Sequence, residues 1–152
     1  MDVTKFLKEK GAAFEVIKHE EAFTAQEVAA SEHVSGHVFA KTVVVKGGDA
    51  NYMLVLPASR HADLKKAGNV IGAKLSLATE AEMKALFPDC EIGAEPPFGS
   101  QYGVQTFVDE TMTAVQQIVF RAGTHARTVK MSCADYLRLE KAKVGAFTIE
   151  DE

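Results

Sequence analysis

The chain has 152 residues, 47% hydrophobic and 25% charged, with a net charge of −4. That length carries one domain with its own core, and the composition fits a soluble globular protein, not a fibrous or disordered one. No apolar run reaches the roughly 20 residues of a membrane span.

The first residues lack the apolar stretch and small-residue cleavage site of a signal peptide. Cys90 and Cys133 are far apart in the sequence, which argues for reduced thiols and against a disulfide or metal pair. Together these features predict a cytoplasmic protein with no membrane association and no cofactor.

In chain order, Thr4 to Lys10 reads as a short helix stopped by Gly11, with Phe6 and Leu7 facing inward. Phe14 to Ile17 is apolar and strand-compatible. Thr24-Ala-Gln-Glu27 is a capping box, so a helix should run from there to near Ser31, followed by a turn at His33–Gly36. Lys41–Lys46 and Tyr52–Leu56 form the clearest hairpin, joined by Gly47-Gly-Asp-Ala-Asn51. The second of these strands lacks polar alternation, which predicts a central strand covered on both faces.

Asp63 to Ala67 reads as a helix ending at Gly68, and Thr79-Glu-Ala-Glu82 as a second capping box opening a helix to about Leu86. Gly93 to Gly103, rich in glycine and proline, is a structured loop. Three strands follow, Gln105–Asp109, Gln117–Arg121 and Arg127–Met131, and then a helix capped by Ser132 and running to about Lys141. This order is no regular βαβ alternation. It predicts an α+β fold, a largely antiparallel mixed sheet surrounded by helices, in a single domain over residues 1–152.

Charge is unevenly placed. Residues 37–74 and 121–143 each carry an excess of four positive charges in an otherwise acidic chain. Such segments either converge into a phosphate-binding face or spread round the surface as solvated charge.

Three places carry candidate chemistry. Lys41 shares a strand face with Val43 and Val45, so its ammonium either reaches solvent along its stem or sits at a partly dry cleft. The loop Gly93-Ala-Glu-Pro-Pro97-Phe98-Gly99 either presents fixed N–H groups to a ligand or serves as a stiff structural turn. Ala122-Gly123-Thr124-His125 brings an N–H, a hydroxyl and an imidazole together in what is otherwise a hairpin turn. The His33-x-x-x-His37 spacing suits a helical metal pair, but Ser35 and Gly36 spoil the helix and no third ligand is evident, so no metal is expected. There is no nucleophile elbow, P-loop or dinucleotide fingerprint.

Together these places resemble the YbaK/ProX family and the editing insertion domain of bacterial prolyl-tRNA synthetases. Phe39-Ala-Lys41-Thr42-Val-Val-Val is similar to the strand bearing that family's functional lysine. Gly93-Ala-Glu-Pro-Pro97 fits its Gly-x-x-x-Pro loop, with Phe98-Gly99 continuing the pattern, and Ala122-Gly123-Thr124-His125 matches its late glycine-rich turn. Asp63-Leu-Lys-Lys66 also resembles the family's segment after the hairpin. One departure is Ala122, where some members place a serine; Thr124 is the nearby hydroxyl.

The resemblance implies trans-editing: hydrolysis of the ester that joins a wrong amino acid to the 3′-terminal adenosine of tRNA. Its partners are the acceptor end of aminoacyl-tRNA and, optionally, an aminoacyl-tRNA synthetase. Lys41 is then the catalytic lysine, holding the terminal nucleotide and the developing negative charge. Gly93, Pro97, Phe98, Gly99, Gly123, Thr124 and His125 bind substrate around the aminoacyl pocket. The attacking water is oriented by the substrate's own 2′-hydroxyl, with His125 as the side-chain alternative for a general base. The competing readings are a non-catalytic tRNA- or synthetase-binding module of the same fold, and a hydrolase of another small activated ester.

Overall fold

The computed structural model describes residues 1–18 and 35–150. The predicted capping box at Thr24, its helix and His33 lie outside them.

Helix α1 (Val3–Glu9) begins one residue earlier than expected, capped by Asp2, which accepts from the N–H groups of Thr4 and Lys5. Strand β1 (Phe14–Lys18) follows. The hairpin strands are β2 (Ala40–Gly47) and β3 (Ala50–Pro57). Their pairing runs to Gly47 opposite Ala50, which shortens the expected turn to Gly48-Asp49. Gly48 has φ +62° and Asp49 does not share the positive sign, as in a type II′ turn. In β3, Met53, Leu54, Val55 and Leu56 are all fully buried, as the missing alternation predicted.

After the short strand β4 (Arg60–Ala62), helix α2 (Leu64–Ile71) is capped by Asp63 and ends at left-handed Gly72, not at Gly68. Gly68 is there for packing: a Cβ at this position would lie 2.7 Å from the Ala73 carbonyl oxygen. Strand β5 (Ser76–Leu77) precedes helix α3 (Glu80–Leu86), whose Thr79–Glu82 capping box forms in full. Strands β6 (Gln105–Asp109), β7 (Gln117–Arg121) and β8 (Arg127–Ser132) fall where expected, as does helix α4 (Cys133–Glu140), capped by Ser132. Strands β9 (Lys143–Gly145) and β10 (Thr148–Glu150) complete the chain.

The strands form a five-stranded sheet in the order β5-β2-β3-β6-β9, a three-stranded sheet β1-β8-β7, and the pair β10-β4. The last two are antiparallel, as is the β5-β2-β3 half of the first. The β3-β6 and β6-β9 pairs are parallel, because the chain crosses over through α2 and α3 before returning beside β3. The fold is therefore α+β with mixed sheets, more parallel in its largest sheet than the element order suggested.

Each face of the large sheet covers its own core. Ala40, Val44, Met53 and Val55 pack with Phe98, Phe120, Val129 and Tyr136, while Val45, Leu54 and Leu56 pack with Ala67, Phe107 and Phe147. A bridge between Phe39 and Val119 ties the start of β2 to the second sheet. Cys90 and Cys133 are free thiols. No helix among the described residues is long and apolar enough to cross a membrane.

Candidate functional site

The loop after α3 and the turn between β7 and β8 interlock. The Gly123 N–H donates to the Ala94 carbonyl and the Glu91 N–H to the Gly123 carbonyl, both at 2.9 Å. Arg121 Nη1 donates to the Gly93 carbonyl at 2.7 Å, and His125 Nε2 lies 2.7 Å from the Ile92 carbonyl. A carbonyl only accepts, so Nε2 carries a proton in that contact. Gly93 and Gly123 have φ of +84° and +88°, which restricts both positions to glycine without strain.

The loop is held from beneath as well. The Tyr136 hydroxyl donates to the Pro97 carbonyl at 2.8 Å. Phe98 is fully buried, its ring edge-on to Phe6, Phe120 and Tyr136 with centroids 5.4, 5.8 and 5.2 Å away. Gly99 packs so closely that a Cβ would lie 2.6 Å from Thr106 Oγ1. Thr106 Oγ1 in turn donates to Glu140 at 2.5 Å, and Glu140 also accepts from the Ser100 N–H and hydroxyl. Burial raises the Glu140 carboxyl above its usual value despite these donors. Phe98 and Gly99 thus anchor the loop from the core side.

Strand β2 meets the loop through Thr42, whose hydroxyl donates to the Glu95 carbonyl at 3.4 Å. Lys41, half-buried and opposite Leu56, leaves the sheet by strand alternation on the other face, with Val43 and Val45. The residues expected on the loop and turn therefore come together, whereas Lys41 projects from the opposite face of β2 and only its neighbour Thr42 touches the loop. Thr124 accepts from the Ala126 N–H at 3.2 Å and lines an outer cleft of about 270 Å³ with Met1, Asp2, Asp89 and Arg127.

Glu95 stands out in this loop. It is 3% exposed, and neither carboxylate oxygen has a hydrogen-bond partner among the described residues. Burial raises its carboxyl above the usual value, although the nearby N–H groups of Glu95, Gly93 and Ala94 favour the charged form. Those amides are close but not aligned as donors.

Part of the two basic segments is committed within the molecule. Lys46 pairs with Glu82, Arg60 with Thr148 and Glu150, Lys66 with the Thr148 carbonyl, and Arg138 with Asp135. His37 Nδ1 contacts Ser59 Oγ at 2.8 Å. Among the described residues no cluster of three or more His, Cys, Asp or Glu is placed to hold a metal ion.

Thr42, Glu95, Arg121, Tyr136 and Glu140 are contributors that the sequence did not single out. Thr42 and Glu95 lay inside the motifs themselves. Tyr136 and Glu140 gave no local signal, since their partners are 39 and 34–40 residues away.

Residues 19–139 match the aminoacyl-tRNA editing domain family. The multifunctional Ser/Thr-tRNA deacylase ProXp-y of Escherichia coli is 31% identical over 147 residues, covering 93% of this chain and 87% of that protein. The crystal structure of a candidate trans-editing enzyme for prolyl tRNA synthetase superposes with a TM-score of 0.86 at 23% identity, covering 99% of this chain and 95% of that one. That of hypothetical protein APE2540 gives 0.88 at 19% identity, over 97% and 99%. At these identities the two structures show the shared fold alone. The family match and the relative together cover nearly the whole chain, and the chain belongs to the aminoacyl-tRNA editing domain family.

Proposed function

We propose that the chain, acting as one domain in the cytoplasm, is a trans-editing aminoacyl-tRNA deacylase that takes the acceptor end of mischarged tRNA between β2 and the interlocked loop and turn. The observation that carries this reading is the four-contact clasp between the Gly93 loop and the Gly123 turn, with Thr42 beside it. It builds a rigid backbone wall next to the strand that carries Lys41.

An aminoacyl ester is already activated, so positioning and electrostatic stabilisation supply most of what its hydrolysis needs. Water attacks the ester carbonyl, the bond to the ribose oxygen breaks, and that oxygen leaves with a proton. Lys41 holds the terminal nucleotide through its phosphate or ribose. Within the loop, the amides of Ala94, Phe98 and Gly99 are turned to Glu91, Pro96 and Thr106, and the prolines have none. The Gly93 and Glu95 amides lie beside the Glu95 carboxyl. The substrate's 2′-hydroxyl orients the water. His125 could act as a base only through Nδ1, since Nε2 donates to Ile92.

The test is a panel of mischarged tRNAs, with Lys41→Ala beside the wild type. Protein-dependent loss of an aminoacyl ester, reduced about 100-fold or more in the variant, is expected. Deacylation by Lys41→Ala at the wild-type rate would remove Lys41 from the site. Binding of tRNA without deacylation would favour a non-catalytic binding module.

A further inference from the structure

A carboxylate is an acceptor-only group, and leaving it buried without a donor is among the more costly arrangements a protein can hold. Most such groups are paired, so an exception calls for a reason. Among the described residues Glu95 is such an exception, and it sits in the middle of the loop.

Its surroundings are specific. On one side Thr42 fixes the Glu95 main chain, and on the other Arg121 and His125 fix Gly93 and Ile92. Gly93 is exposed, and its absent side chain leaves open the space in front of the His125 ring, 3.5 Å from where a Cβ would stand. Two residues on from this opening, and near the same His125, is the Glu95 carboxylate, which has no donor among the described residues. Pro96 and Pro97 follow immediately, so the chain cannot supply amide donors from that side.

We propose that Glu95 binds the α-ammonium group of the aminoacyl moiety, selecting substrates whose amino group is free. This rests on the deacylase reading above. The aminoacyl ester carries one cation, on the carbon next to the scissile carbonyl, and a buried carboxylate without a donor among the described residues is its complement. The contact fixes the acyl group relative to the loop. It also gives the loop a reason to hold an acid where an apolar residue would be more stable.

The experiment uses two amide probes that cannot be hydrolysed: 3′-deoxy-3′-(serylamino)adenosine and its 3-hydroxypropanoyl counterpart, which lacks the amine. Calorimetric titration of the wild type should show the amine probe bound about tenfold to a hundredfold tighter. In Glu95→Gln, which keeps the shape, the preference should shrink to about threefold or less. In wild-type protein labelled with ¹³C at glutamate carboxyls, the Glu95 signal should shift with the amine probe and stay in place with the other. This second readout does not depend on any variant folding.

An undiminished preference in Glu95→Gln, no preference in the wild type, or an unmoved Glu95 signal would each overturn the proposal. If the wild type deacylates the tRNA panel yet shows no amine preference, only the role of Glu95 falls. If it neither deacylates nor binds either probe, the deacylase reading falls and the proposal with it.

Discussion

Removing one oxygen atom tests how the candidate loop is held. The Tyr136 side chain is fully buried and its hydroxyl donates to the Pro97 carbonyl at 2.8 Å. Tyr136→Phe keeps the ring and its edge contact with Phe98, whose centroid is 5.2 Å away, so packing is preserved. What changes is that a buried carbonyl loses a donor that water cannot readily replace. Such a loss costs about 1–2 kcal/mol. For a chain of this size each kcal/mol moves Tm by about 2–4 °C, so a fall of about 2–8 °C is expected. Urea denaturation should show a lower midpoint with an unchanged slope, since the surface exposed on unfolding is the same. In deacylation assays the freed Pro97 should lower kcat more than it raises KM, because the loop is then less well positioned. A Tm within about 1 °C of wild type, together with unchanged kcat, would refute the idea that this hydrogen bond sets the loop.

Two other outcomes follow from the same packing. Gly99→Ala places a methyl 2.6 Å from Thr106 Oγ1 and 2.8 Å from the Val104 carbonyl; overpacking there should cost about 1–3 kcal/mol, read by urea denaturation, and stability equal to wild type would show that the loop can yield. Burial alone would raise the Asp109 carboxyl, but the Phe147 and Thr111 N–H groups and the Thr111 and Thr148 hydroxyls hold it below its ordinary value. A carboxyl depressed in the folded state contributes stability above its unfolded pKa, and that stability is lost as pH falls through the ordinary value of 3.8 toward the lower folded one. Unfolding measured from pH 7 downward should therefore show an acid-side loss that is flattened in Asp109→Asn, and parallel curves for the two proteins would contradict it.

What the sequence showed of the fold were its local devices. Asp63, Thr79 and Ser132 announce helix starts because a cap is a contact over two or three residues. The continuous apolar run in β3 announces a central strand for the same kind of reason. Gly68 misled because a glycine that ends a helix and one that clears a path for a neighbouring carbonyl look alike in sequence. Strands β9 and β10 are three residues each, and Asp109 holds Phe147 and Thr148 in place from 38 and 39 residues away. The candidate site divides in the same way. Its glycines and prolines were legible as loop chemistry, whereas the buried acids Glu95 and Glu140 look in sequence like solvated surface charges. Only the folded chain puts Ser100 and Thr106 around one of them and leaves the other with no donor among the described residues.

The clasp between loop and turn has a consequence for how this domain can vary. Four contacts join Glu91–Ala94 to Arg121–His125, so the two segments are energetically one piece. Substitutions at Arg121 and His125 should be non-additive, since each leaves the same carbonyl-bearing stretch half-tethered. An insertion on either side would shift its partner out of register. The side chain of Glu95 takes no part in those four contacts, so it is a position that can change while the frame stays fixed.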